Sequence, residues 1–166
     1  MESRAKILGH AGHAILIVFP LGLLSTAVIF DVIYLFTGNP NLSLVSFWMI
    51  VAGLVGGLVA AVFGWIDWFA IPQNTRAKNV GLVHGVGNVA VMGLFAISWL
   101  ARLYSDTLEP SATALLFSFL GAAIALFTAW LGGELVERLG VGADKGAHLN
   151  APNSLSKRPA TESADD

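Results

Sequence analysis

The sequence predicts an all-α fold: a four-helix transmembrane bundle with both termini cytoplasmic and a disordered C-terminal tail. Three observations predict it. Residues of the hydrophobic set make up 55% of the chain against 12% charged, and the mean hydropathy of +0.72 lies outside soluble usage. The 166 residues hold four apolar runs, each long enough for the roughly 20 residues that cross a bilayer. Lysine and arginine gather on one side of those runs.

The first span is read over residues 9–36. It follows Arg4 and Lys6, as a signal peptide would, but its apolar run is about twice the length of a signal h-region and three more spans follow. Pro20 lies inside it and is expected to kink the helix, because proline cannot donate to the carbonyl four residues back. Thr37-Gly38-Asn39-Pro40-Asn41 is a turn signal. The second span, residues 44–69, carries small residues at four-residue spacing: Gly53 with Gly57, Gly57 with Ala61, and Ala60 with Gly64. Such a ladder lets another helix approach closely. Trp65 and Trp68 near its end fit an interfacial aromatic belt, and residues 72–78 read as a connecting loop.

The third span covers residues 80–101 and the fourth residues 111–136, the latter with a second ladder through Gly121, Ala125, Ala129 and Gly133. Together the spans form one transmembrane domain, residues 1–139. Residues 140–166, rich in Pro, Ser, Asn, Lys and Asp, show no apolar period and read as the tail. With helix ends included, one side holds Arg4, Lys6, Arg76, Lys78, Arg138, Lys145, Lys157 and Arg158, and the other only Arg102. Positive residues stay in the cytoplasm, so both ends are expected there.

Composition also excludes function classes. Without cysteine there are no disulfides, thiolate metal ligands, Cys-ligated iron–sulfur clusters or c-type haem attachments. A net charge of −2 offers no basic surface for nucleic acid. The expected surroundings are a lipid bilayer, with membrane or peripheral redox proteins and a second copy of the chain as further candidate partners.

Depth along the helices, at about 1.5 Å per residue, singles out one polar layer. His13, Asp67, His84 and Glu134 each lie about a turn inside the cytoplasmic boundary, with Asn88 a turn deeper and His10 a turn shallower. Asp31 stands alone in the outer half. His84 and Asn88, four apart, share one helix face. Ionisable groups at such depths are expensive and point to function. Three readings compete. The layer fixes packing through interhelical hydrogen bonds and snorkelling side chains. Or it ligates: His13 and His84 are candidate axial ligands of a b-type haem, with His10, Asn88, Asp67 and Glu134 around them and Gly12, Gly81, Gly85 and Gly87 leaving room for a macrocycle. In its metal-ion variant the candidates are His10, His13, His84, Asp67 and Glu134. A proton or ion path is the third, and ranks below ligation because a single layer plus Asp31 is thin material for a full crossing.

Four segments carry a family resemblance: residues 9–23 (GHAGHAILIVFPLGL), Gly64-Trp65-Ile66-Asp67-Trp68, Val83-His84-Gly85-Val86-Gly87-Asn88, and residues 130–136 (WLGGELV). In this order they resemble the motifs of the DUF2231 family of predicted bacterial membrane proteins, over about residues 9–142. The resemblance implies a four-helix protein of the bacterial inner membrane whose biochemical role is unassigned. Some relatives look joined to Rieske or other redox domains, which favours an electron-transfer component over an enzyme. The motif residues it carries over are His10, His13, Asp67, His84, Asn88 and Glu134. Ala11 and Ala14 stand where the family has proline after each histidine. Glu137 and Leu139 stand where relatives often have Tyr and His.

Overall fold

The computed structural model describes residues 1–164; Asp165 and Asp166, the end of the expected tail, lie outside the described residues. A two-stranded antiparallel ribbon, β1 (Lys6–Ile7) and β2 (His10–Ala11), precedes five helical segments. These are α1 (Gly12–Leu16), α2 (Val18–Thr37), α3 (Pro40–Ala70), α4 (Arg76–Arg102) and α5 (Ala112–Gly133), which continues as a π-helical turn over Glu134–Arg138. Four spans are long and apolar enough to cross a membrane: Gly12–Thr37, Pro40–Ala70, Arg76–Arg102 and Ala112–Arg138.

Each boundary has a local cause. The first span breaks at Ile17 because Pro20 has no N–H for the carbonyl of Leu16, and the chain resumes as α2 one residue later. Gly38, in the left-handed region at φ 63°, closes α2 by returning its N–H to Tyr34. Asn39 then caps α3 by accepting the Asn41 N–H, with Pro40 in the first helical position. Thr75 caps α4 by accepting the Lys78 N–H at 3.1 Å. That cap carries the helix four residues beyond the apolar run, so Arg76 and Lys78, expected in a loop, are helical. Ser111 does the same for α5 through Ala114 N–H.

The helices pair as two hairpins. Packing is tightest within them, α2 on α3 and α4 on α5; α3 joins them by leaning on α4, and α2 meets α5 at fewer points. Leu24, Ala27, Ile50, Val91 and Phe95 form the buried centre. The expected small-residue ladder is where neighbours seat: a side chain at Gly53 would strike Leu24 of α2, one at Gly57 would strike Met92 of α4, and one at Gly121 would press on Phe95. Most other apolar side chains face outward, and only 17–28% of the most apolar window of each span is buried inside the protein. A bundle with so much apolar exterior belongs in lipid.

The N-terminal segment and the chain that leaves the fourth span lie at the same end of the bundle. The Met1 amine donates to Gly140 O, Gly142 N–H donates to Met1 O, and Glu2 bridges Gly142 in parallel. Beyond Leu139 the described chain holds one turn of 3-10 helix, Ser154–Ser156.

Candidate functional site

At the end of the bundle that carries the N-terminal segment, α1 brings His13 and α4 brings His84 together, one imidazole from each hairpin. Their ring centres stand 6.3 Å apart with planes 86° to one another. Each ring is seated against a glycine of the helix beside it. A side chain on Gly64 would come within 2.9 Å of His13 Nδ1, and one on Gly132 within 3.2 Å of the His84 ring. Each ring is also oriented by a main-chain carbonyl: His13 Nδ1 lies 2.9 Å from Ala60 O, and His84 Nδ1 lies 2.8 Å from Thr128 O. A carbonyl only accepts, so both Nδ1 atoms carry a proton, and in the neutral ring the lone pair is on Nε2.

Asn88 and Thr128 complete the neighbourhood of His84. Asn88 Nδ2 lies 3.1 Å from His84 Nε2 and donates to the His84 carbonyl at 3.0 Å, while Thr128 Oγ1 donates to Asn88 Oδ1 at 3.0 Å. The i, i+4 spacing places the amide beside the ring, as the sequence implied. Thr128, which sequence reasoning did not single out, supplies both a carbonyl and a hydroxyl from α5.

The other members of the layer go elsewhere. Asp67 is buried and accepts from three consecutive residues of the N-terminal segment: Ser3 Oγ at 2.7 Å, Arg4 N–H at 2.7 Å and Ala5 N–H at 3.3 Å. Residues 1–11 thus form a strap across this end. The strap is also tied to the C-terminal segment, since Lys6 Nζ contacts both Glu2 and Asp144. The Lys145 N–H first, then Lys6, hold the Glu2 carboxyl below its ordinary pKa. Asp144 chiefly pushes Lys6 up, so both stay charged across the neutral range. Glu134, in the π-helical turn, pairs with Arg76 at 2.7 Å. His10 is exposed on β2, with Nε2 3.3 Å from Ser154 Oγ. Among the described residues no group of three or more His, Asp or Glu is placed to hold a metal ion.

The glycines expected to leave open room are partly filled. A side chain on Gly12 would meet Phe63 and the Ala5 carbonyl, one on Gly81 would meet Trp68, and one on Gly87 would meet Thr128. Beside Gly85, Trp65 lies at ordinary contact distance. Lys78, also missed from sequence, is buried next to them. Its Nζ donates to Trp68 O at 2.7 Å and lies 3.8 Å from the centre of the Trp68 ring, whose Nε1 donates back to Lys78 O.

At the opposite end, Arg102 forms a two-pronged pair with Asp31. Nη1 donates to Oδ1 at 3.0 Å and Nη2 to Oδ2 at 2.5 Å, with both side chains fully buried and Ser118 Oγ also on Oδ2. The sequence marked Asp31 as isolated and Arg102 as a charge near the end of its span. The signal that joins them is depth: Asp31 is six residues from the end of its span, about 9 Å, within reach of an arginine entering from the end of α4.

A four-span bundle with its apolar faces outward and polar contacts at both ends defines a small multi-span membrane protein. Residues 9–145 match the family of predicted membrane proteins DUF2231, and the chain belongs to that family. No curated protein and no solved structure matches it.

Proposed function

We propose that the chain is a small electron-transfer component that holds one b-type haem between His13 and His84. The observation that carries this reading is the meeting of two imidazoles from different hairpins at 6.3 Å between ring centres. His13 and His84 would be the residues to hold the group, each through its Nε2. The donor set supports haem over a bare ion. Two imidazoles leave an isolated transition metal short of ligands, whereas haem would need only two from the protein. Carbonyl bonds at Nδ1 favour the tautomer whose lone pair is on Nε2, as at metal-ligating histidines generally; at His84 that lone pair faces Asn88 Nδ2.

The chain's own residues set the terms of binding. Asn88 must release His84 Nε2 while Thr128 keeps its Oδ1, and the rings of Phe63, Trp65 and Trp68 must give way beside Gly12, Gly85 and Gly81. Once bound, haem supplies a one-electron couple. Partial burial of both imidazoles among apolar side chains tunes its potential. Protein purified from haem-supplied cells is expected to show a Soret band that His84→Ala abolishes and His13→Ala abolishes or shifts. A colourless wild type, or an unaltered band in both variants, rejects the reading.

A second reading has one observation in its favour: both nitrogens of His84 already have partners within the protein. On that reading the pair is a packing clasp between the hairpins. It predicts colourless protein in which His84→Ala lowers stability by about 0.6–1.7 kcal/mol, the range of interhelical bonds in lipid.

We place both termini in the cytoplasm of a bacterial inner membrane. With Arg102 drawn into its pair with Asp31, lysine and arginine on the far side carry no loop charge at all, which supports the charge asymmetry. The chain has no cysteine, so a single Ser105→Cys variant reports directly. Expected is labelling of intact spheroplasts by an impermeant maleimide; labelling only after lysis reverses the orientation.

A further inference from the structure

Where the strap, the end of α3 and the C-terminal segment meet, a cleft of about 420 Å³ opens, lined by Met1, Glu2, Arg4, Ala70, Pro72 and Lys145 among others. Two of its side chains are cations. Among the described residues, neither the Arg4 guanidinium nor the Lys145 ammonium has a bonded partner; both residues use only main-chain N–H groups, on Asp67 and Glu2. The one carboxylate in the lining, Glu2, is already engaged by Lys6 and by Lys145 N–H. The cleft is therefore net positive and has two unused charged donors.

Its position specifies the anion. The cleft sits at Ala70 and Pro72, where α3 ends, and the end of a span with Trp65 and Trp68 in its last turns is where a headgroup layer lies. From Ala70 down, Val62, Ile66 and Phe69 form one exposed apolar strip on α3, spaced as a single helix face and 58%, 44% and 71% accessible. A cationic cleft above an apolar strip matches an amphiphile with an acidic head. We propose that this cleft binds the phosphodiester headgroup of an anionic phospholipid, with its acyl chains along Val62, Ile66 and Phe69. The site is independent of any haem between His13 and His84.

The test titrates the full chain in detergent micelles with dioctanoyl phosphatidylglycerol, dioctanoyl phosphatidylcholine or inorganic phosphate, followed by calorimetry. One phosphatidylglycerol per chain is expected to bind, with phosphatidylcholine at least tenfold weaker. The Arg4→Gln/Lys145→Gln variant is expected to lose about 30-fold, from roughly fivefold per interfacial cation. Lys145→Gln alone should lose about fivefold, and it guards against disturbance of the strap. Arg4→Lys should restore most of the affinity. Equal binding of phosphatidylcholine, or unchanged affinity in both Gln variants, overturns the proposal. Inorganic phosphate binding as tightly as phosphatidylglycerol also overturns it, and assigns the cleft to a soluble anion.

Discussion

Arg102→Leu is expected to destabilise the folded bundle by about 3–5 kcal/mol, the cost of leaving one partner of a buried ion pair uncompensated. The expectation follows from the burial of both side chains at 0% and from geometry that leaves Asp31 with only Ser118 once Arg102 is gone. Asp31→Leu/Arg102→Leu is expected to recover most of the loss, because replacing both charges removes the desolvation penalty along with the attraction. Arg102→Lys should fall between them, since an ammonium cannot make the two parallel bonds of a guanidinium. Equilibrium unfolding in mixed micelles reads all three. A double variant as unstable as the single one would refute the account.

Asp67→Ala is expected to free the strap while leaving the helices in place. Its carboxylate is the shared acceptor for Ser3, Arg4 and Ala5, and hydrogen bonds to a charged group contribute about 1.5–3 kcal/mol each. Losing them jointly should raise amide exchange at Arg4 and Ala5 by at least 30-fold, roughly 2 kcal/mol of local opening. Exchange in α4 and α5 should stay as it was. Asp67→Asn, which keeps an acceptor oxygen, should give a smaller increase. If the strap amides keep their protection in Asp67→Ala, the carboxylate is not what holds them.

The fold was legible because a bilayer constrains sequence strongly. Four apolar runs of spanning length, a proline inside the first and turn signals between them leave little choice of architecture, and the break at Ile17 lies within one helical turn of Pro20. The ends of the spans were less legible, because capping overrides hydropathy there: Thr75 and Asn39 start helices several residues before the apolar run begins. Within the polar layer, depth grouped residues by height but not by direction around the helix. His13 and His84 share height and direction and meet, and Asn88, a turn deeper, lies beside His84. Asp67 and Glu134 shared only height, and take partners from the strap and from Arg76. The strap itself carries no periodic signal, and its hold on Asp67 joins the Ser3 hydroxyl to two main-chain amides that sequence does not display. Arg102 lies at the end of its helix, as its position implied, but its pair with Asp31 was not legible, because a long side chain can turn back into the protein and meet a carboxylate there.

The division into two hairpins has a consequence for how the protein is made. Lipid tails are as apolar as leucine, so two inserted hairpins gain little by burying apolar faces against each other; close packing and polar contacts must drive their union. The polar contacts that join them lie near the two rims, at His13 with His84 and at Asp31 with Arg102 and Ser118, with the apolar centre between. Packing that is tightest within each hairpin is what separate insertion of the two hairpins would leave behind. The later docking step is a matter of bringing two matched ends into register, much as two halves of a clamshell align at hinge and clasp before they shut.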